Sequence, residues 1–277
     1  MVLRRSRETA VVAAGAGFDG KVAIVTGGGS GIGAALAAEL RRQGATVVTA
    51  DLEGGDVELD VRDRAAVTEL VEEVGPLDYL FNNAGISVGG ETHRMDPSYF
   101  DRIIDVNLRG VVNGVMAAYP RMVERGRGHI VNTASMAGLS GTPMVAAYSM
   151  TKHGVVGLST SLRPEAALHG VRVSVLCPGS IDTPILDSTP PADLPPQPPE
   201  TVTGRQFMAI IKQKPVPAAS IAGPALRGVA RNKAVIIVPA SGRVLWSLQR
   251  ISPGAVERVA RFGAGRVTKH LEATRSA

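Results

Sequence analysis

Thr26-Gly27-Gly28-Gly29-Ser30-Gly31-Ile32-Gly33 stands between an apolar run, Val22-Ala23-Ile24-Val25, and an amphipathic segment that reads as a helix from Ile32 to Gln43. Glycines at a strand-to-helix junction let the chain turn tightly and bring backbone amides close to an anion, whose charge the helix N-terminus stabilises. A glycine-rich turn is weak evidence on its own. Set between a strand and an amphipathic helix, it points to a parallel α/β unit. Gly27, Gly31 and Gly33 are the positions at which a side chain would obstruct the turn.

Outward from this loop the same alternation repeats. Gly44 stands where a helix C-cap belongs, and Thr46–Ala50 reads as the second strand. Val57–Leu59 is a short third strand, Arg64–Val74 a helix and Leu77–Asn82 a fourth strand. Asp96-Pro97 starts a long helix over Ser98–Glu124. Gly128–Thr133 is the fifth strand, Val145–Leu162 a second long helix, and Val171–Cys177 and Ala234–Val238 complete seven strands. Short apolar runs separated by amphipathic segments predict a doubly wound parallel sheet in one domain, residues 18–240, with helices on both faces.

Two regions leave that pattern. Residues 184–217 are rich in proline, with one helical piece at Arg205–Lys212, and read as a substrate lid. Residues 241–277 carry Val244, Leu245, Leu248, Ile251, Val256, Val259 and Phe262 at helical spacing among arginines, interrupted by Pro253 and Gly254. This basic amphipathic extension could lie on an anionic membrane surface; packing against its own or a neighbouring subunit is the favoured reading. Residues 1–17 read as a mobile extension, too weakly apolar for a signal peptide.

Composition narrows the classes. The 277 residues carry a net charge of +5, yet no helix-turn-helix, zinc or aromatic RNA-binding signature accompanies it, so no nucleic acid partner is expected. No metal-ligand cluster is visible, and His129 and His153 read as structural or surface histidines. The single Cys177 excludes an intrachain disulfide and suits a reducing cytoplasm. No run approaches the ~20 apolar residues of a membrane span.

The polar residues suggest hydride chemistry. Asp51 ends the second strand, eighteen residues after Gly33. A carboxylate there accepts hydrogen bonds from adenosine ribose hydroxyls and repels a 2′-phosphate, which favours NAD over NADP; Ser30, where Arg or Lys would favour the phosphate, agrees. Tyr148 and Lys152 share one helix face at i and i+4, and Ser135 arrives from the preceding strand. A phenol beside an ammonium can exchange a proton in step with hydride transfer. Working near neutrality requires lowering its pKa of about 10 by roughly 3 units, about 4 kcal/mol, within what a nearby ammonium supplies. Ser135 would orient the substrate oxygen.

Together these residues resemble the single-domain branch of the short-chain dehydrogenase/reductase family. The resemblance runs from about Gly20 to Pro239 and rests on Thr26–Gly33, Asp60, Asn82-Asn83-Ala84-Gly85, Asn107, Ser135, Tyr148 with Lys152, and Pro178-Gly179 followed by Ile181 and Thr183. It implies that Asp60 and Val61 bracket the adenine ring, that Asn83, Ala84 and Gly85 line the cofactor, and that Ile181 and Thr183 hold the nicotinamide carboxamide. Ser30, Ile32, Leu52, Pro178 and Gly179 complete the implied cofactor contacts, and Lys152 would also hold the nicotinamide ribose. Asn107 would hold a water linking Lys152 to solvent. Read without the family, it is a helix-interior asparagine bonded to nearby backbone.

The expected substrate is a hydrophobic secondary alcohol or ketone, faced by Ser87, Val88, Met136, Gly138, Thr142, Pro143 and the lid. The alternative is a catalytically silent NAD(P)-sensing regulator. Two departures from the family pattern stand out. Only eight residues separate Asp51 from Asp60, so the usual crossover helix is missing and the loop is expected to be extended. Pro164 is expected to stop or kink the Tyr148 helix and so shorten a surface that in the family packs in homodimers or homotetramers.

Overall fold

The structure is a computed structural model that describes residues 17–187, 191, 193–197, 201 and 203–275, with side chains to 269. The N-terminal extension, Gly17 apart, and parts of the lid lie outside the described residues. Strands buried on both faces are apolar almost throughout, and this explains the main sheet. β1 (Val22–Thr26), β2 (Thr46–Asp51), β3 (Val57–Glu58), β4 (Tyr79–Asn82), β5 (Gly128–Thr133), β6 (Val171–Pro178) and β9 (Val235–Val238) pair in the order β3-β2-β1-β4-β5-β6-β9. Every pairing is parallel.

α1 (Gly31–Arg42) and α7 (Ala218–Ala230) pack on one face. α2 (Arg64–Val74), α4 (Gly110–Glu124) and α5 (Ala146–Ala167) cover the other. The chain leaves β1 toward β2 and β3, then returns to place β4 on the opposite side of β1. A crevice opens at that reversal, beyond the carboxyl ends of β1 and β4, where ligands of such sheets bind. A two-stranded parallel pair, β7 (Ile181–Asp182) with β8 (Val216–Pro217), was not anticipated; it ties the two ends of the proline-rich segment together.

Three local expectations are corrected. The loop between β2 and β3 is not extended but folded tightly back. Asp56 does the work of the missing helix: its carboxylate accepts from Thr49 N at 2.9 Å and Thr49 Oγ1 at 2.7 Å, and pairs with Arg41 at 2.6 Å. The expected third strand stops at Glu58, so Asp60 lies beyond it. α5 runs through Pro164 to Ala167. The proline forfeits one helix hydrogen bond, but Ala166 is fully buried and the Arg163 guanidinium bonds to Val173 O and Asn232, which hold that last turn in place.

The long helix expected over Ser98–Glu124 is present with one irregularity. α3 (Pro97–Ile104) and α4 are joined by a π-helical segment, Asp105–Arg109, centred on Asn107. In the proline-rich region α6 (Gly204–Ile210) starts from a capping box in which Thr203 and Gln206 serve one another. The C-terminal extension forms α8 (Gly242–Ile251) and α9 (Pro253–Arg275); Pro253 opens the second helix and so accounts for the break. Among the described residues, no helix is long and apolar enough to cross a membrane.

Candidate active site

At the crevice the glycine loop is shaped by contacts only glycine permits. Gly27 has φ +64°, and a Cβ on it would stand 2.7 Å from Ala84 Cα; one on Gly33 would stand 1.9 Å from Gly27 O. Ser30 is the N-cap of α1 but its side chain makes no capping bond. The amides of Gly31, Ile32 and Gly33 therefore keep their donors for an anion at the helix N-terminus. Asp51 Oδ2 accepts from Gly29 N at 2.9 Å and Oδ1 from Leu52 N at 2.8 Å, which clasps the end of β2 to the loop. Leu52 itself is 60% exposed beside it.

Thr26 closes the other side. Its Oγ1 accepts from Asn83 N at 3.0 Å and Ala84 N at 3.1 Å, and Asn83 Nδ2 donates to Gly27 O at 3.2 Å. Sequence reasoning gave Thr26 no role beyond ending β1; a hydroxyl at a strand end is the one signal it offered. Across the crevice, a Cβ on Gly31 would come within 3.1 Å of the Thr183 side chain. Ile181 is buried in β7, and Gly179 N donates to Val238 O at 2.8 Å just after Pro178. Asp60 and Val61 follow β3, but Arg62 grips both Asp60 oxygens and holds its carboxyl below the usual range. Val61 is buried against Gly110.

The structure brings Ser135, Tyr148, Lys152 and Asn107 together. Ser135 follows β5 in extended backbone and caps a short turn, accepting from Ala137 N at 3.1 Å. The nearby Ser135 side chain favours the Tyr148 phenolate. Lys152 is 3% exposed; its Nζ donates to Thr133 O at 2.9 Å and lies 5.6 Å from the Tyr148 ring centroid. Burial draws the Lys152 pKa down to about 8.

Burial opposes the expected lowering of the Tyr148 pKa. The Tyr148 hydroxyl is pushed above its ordinary value by burial, which outweighs the influence of Ser135. The Lys152 ammonium is engaged by Thr133 O at 2.9 Å, and its own charged form is disfavoured by desolvation.

Asn107 is fully buried, and its amide is matched to one residue: Oδ1 accepts from Ile86 N at 2.8 Å and Nδ2 donates to Ile86 O at 2.9 Å. Nδ2 also lies 3.4 Å from Thr151 Oγ1, on the α5 turn that carries Tyr148 and Lys152. A Cβ on Gly85 would stand 3.1 Å from Asn107 Oδ1 and 3.4 Å from Lys152 Nζ, so this glycine sets how closely the loop approaches both. Cys177, read as a small core residue, is fully buried in β6 with its thiol pushed up to about 12, within the field of Lys152.

Beside Tyr148 an apolar cluster of Val88, Tyr99, Ile103 and Ala147 is joined by Ile86, Met95, Phe100 and Leu194. Leu194 belongs to the proline-rich segment, which is strapped down by Tyr99 Oη on Pro195 O and by Arg102 on Asp193. Gly138 and Met136 follow Ser135 in the short turn ahead of α5. A Cβ on Gly138 would stand 2.5 Å from Lys152 O, and Met136 packs under Gly179 and Gly242. Gln249 of α8 accepts from Ser140 Oγ at 3.3 Å, and Trp246 packs on the main core, so the extension braces the turn that begins at Ser135. Among the described residues, no group of His, Cys, Asp and Glu could hold a metal ion.

Comparison with known proteins agrees with this arrangement. The family model described as short chain dehydrogenase matches residues 53–193. A Mycobacterium tuberculosis protein that carries the name oxidoreductase SadH is 33% identical over 272 residues, covering 90% of this chain and 97% of its own. A short-chain dehydrogenase/reductase from Burkholderia phymatum, solved with NAD, superposes with a TM-score of 0.76 at 30% identity, over 84% of this chain and 94% of that one. A Burkholderia cenocepacia short-chain dehydrogenase solved with NADP shares the fold, with a TM-score of 0.73 at 23% identity over 88% and 98% of the two chains.

Proposed function

Because the chain belongs to the short-chain dehydrogenase/reductase family, we propose that it is an NAD-dependent oxidoreductase acting on a hydrophobic secondary alcohol or ketone. The observation that carries this reading is the convergence of Ser135, Tyr148 and the buried Lys152, whose Nζ lies 5.6 Å from the Tyr148 ring centroid, on the crevice edged by the glycine loop. The residues fit a dinucleotide. The uncapped α1 N-terminus suits a pyrophosphate, and Asp51, whose carboxylate oxygens each keep a free lone pair, suits the adenosine ribose. Leu52, Asp60 and Val61 would edge the adenine end, Asn83, Ala84, Gly85, Pro178 and Gly179 would line the middle, and Ile181 and Thr183 would meet the nicotinamide.

A bound nicotinamide cofactor supplies or accepts the hydride. Tyr148 Oη takes the hydroxyl proton in oxidation and returns it in reduction, while Ser135 Oγ holds the substrate oxygen. Lys152 would hold the nicotinamide ribose and, with its charge beside the Tyr148 ring, would stabilise the phenolate. Asn107 fixes the Gly85–Ile86 loop against α5 and so sets the place of Lys152. The apolar cluster around Val88 and Ala147 supports a hydrophobic substrate. Exposed Met116 on α4 and Met150 on α5 support a homo-oligomer built on those helices, and the lone buried Cys177 fits a cytoplasmic setting.

The test follows reduced-nicotinamide absorbance with NAD and NADP over a panel of alcohols and ketones. Turnover of apolar substrates with NAD is the expected result; binding of cofactor with no turnover across the panel would leave a silent regulator instead. Asp51→Ala should narrow the preference for NAD over NADP by about tenfold, as expected for the loss of one charged contact. Unchanged discrimination would show that the ribose is held elsewhere.

A further inference from the structure

The C-terminal helices carry charge and apolar surface out of proportion to their length. Residues 242–277 contain seven Lys and Arg against two Glu, a net +5 that equals the charge of the whole chain; residues 1–241 hold twenty-three of each sign. Of the ten large hydrophobic side chains exposed among the described residues, six lie here: Val244, Leu245, Leu248, Ile251, Val259 and Phe262.

Their placement is ordered. On α8, Val244, Leu245, Leu248 and Ile251 share one outward face, while Trp246 turns inward to the core. On α9, Val256 and Val267 are buried, whereas Val259 and Phe262 lie outward on the same stripe as Arg258, Arg266 and Lys269. Glu257 is kept off that stripe, paired with Arg261 at 2.7 Å. Beside the stripe, α6 and α9 enclose an open cavity of about 570 Å³ lined by Gln206, Ala209, Ile210, Lys212, Arg266 and Lys269, three cations over an apolar floor with no carboxylate among them.

We propose that the outward faces of α8 and α9 dock this protein on an anionic lipid surface, with the cavity between α6 and α9 receiving a headgroup phosphate. Apolar side chains flanked by arginines and lysines are what such a surface binds: the hydrocarbon boundary takes the first and the headgroups the second. A second copy of this chain is the poorer occupant, since self-association would bring the Arg258, Arg266 and Lys269 cations of one face against those of another. The inference does not depend on the reaction assigned to the crevice.

Vesicle sedimentation of the full chain tests it, using phosphatidylcholine vesicles with and without about one-third phosphatidylglycerol. The protein should pellet with the anionic vesicles only, and less as salt is raised. Ile251→Ser with Phe262→Ser should weaken that binding about tenfold or more, and Arg258→Glu with Lys269→Glu should abolish it. These exposed substitutions should leave circular dichroism and cofactor binding unchanged. Pelleting that ignores lipid charge, no pelleting at all, or indifference to the apolar substitutions would each overturn the proposal. So would a dimer or tetramer in size exclusion that the same substitutions dissociate, since a second copy would then cover the face.

Discussion

Burying Lys152 costs stability that the site needs for its chemistry. Its pKa falls from 10.5 to about 8, and at about 1.4 kcal/mol per unit that is about 3 kcal/mol spent on keeping an ammonium out of water. Lys152→Met should therefore unfold at higher urea, by about 1–3 kcal/mol after allowing for the orphaned Thr133 carbonyl, while turnover falls at least ~100-fold. Tyr148→Phe should lose a similar factor in kcat with cofactor binding retained; intact turnover would move the proton exchange elsewhere. His129 gives a second, separable signal. Its Nε2 lies 2.9 Å from Ser174 Oγ, whose hydroxyl donates to Lys233 O at 2.6 Å, so the ring donates from Nε2 and leaves Nδ1 unpaired in the interior. Burial lowers its pKa from 6.5 to about 3. Below pH 6.5 the unfolded chain binds a proton that the folded one refuses, so stability is lost as pH falls, by about 1.4 kcal/mol per unit down to about 3. Urea midpoints at about pH 7 and about pH 5 should converge in His129→Gln relative to the parent chain. The i and i+4 spacing of Tyr148 and Lys152 on α5 accounts for their proximity. It could not reveal the raised Tyr148 pKa, which depends on burial.

At the scale of elements, the β2–β3 connection shows how a short loop can replace a helix. Asp56 folds back onto Thr49, and Gly54 takes φ +73° in the turn. The carboxyl is held below its usual range by the Thr49 bonds, a sign that the clasp prefers the charged form. Asp56→Ala should free the β3 edge and loosen Asp51, raising the KM for NAD several-fold with kcat little changed; a titration of cofactor at saturating substrate measures both. The π-helical segment is a second instance. One extra residue in the turn rotates Asn107 toward Ile86 and Thr151, a placement common at functional sites. Hydrophobic periodicity predicted that helix as regular, since an added residue in one turn barely disturbs the stripe. Likewise Pro164 looked like a terminator because local rules score the lost hydrogen bond, not the tertiary contacts of Ala166 and Arg163 that offset it.

Across the whole molecule, the sheet was readable from seven apolar runs and the glycine loop. Its order follows from the reversal beside β1, where Thr26 and Asn83 meet. The strap formed by the proline-rich segment was not readable, because its anchors on Tyr99 and Arg102 lie far away in sequence. Arg102→Ala should free Asp193 and loosen the strap over the apolar cleft, raising the KM for an apolar substrate about two- to fivefold while the Kd for cofactor stays within about twofold. The brace from α8 to the turn after Ser135 has a practical outcome for limited proteolysis. A chain clipped after Ile251 keeps Gln249 against Ser140 and Trp246 in its seat, whereas one clipped ahead of Gly242 loses both. The end whose loss spares this brace thus begins one helix later than the last strand, and nicked fragments should differ in activity across that boundary.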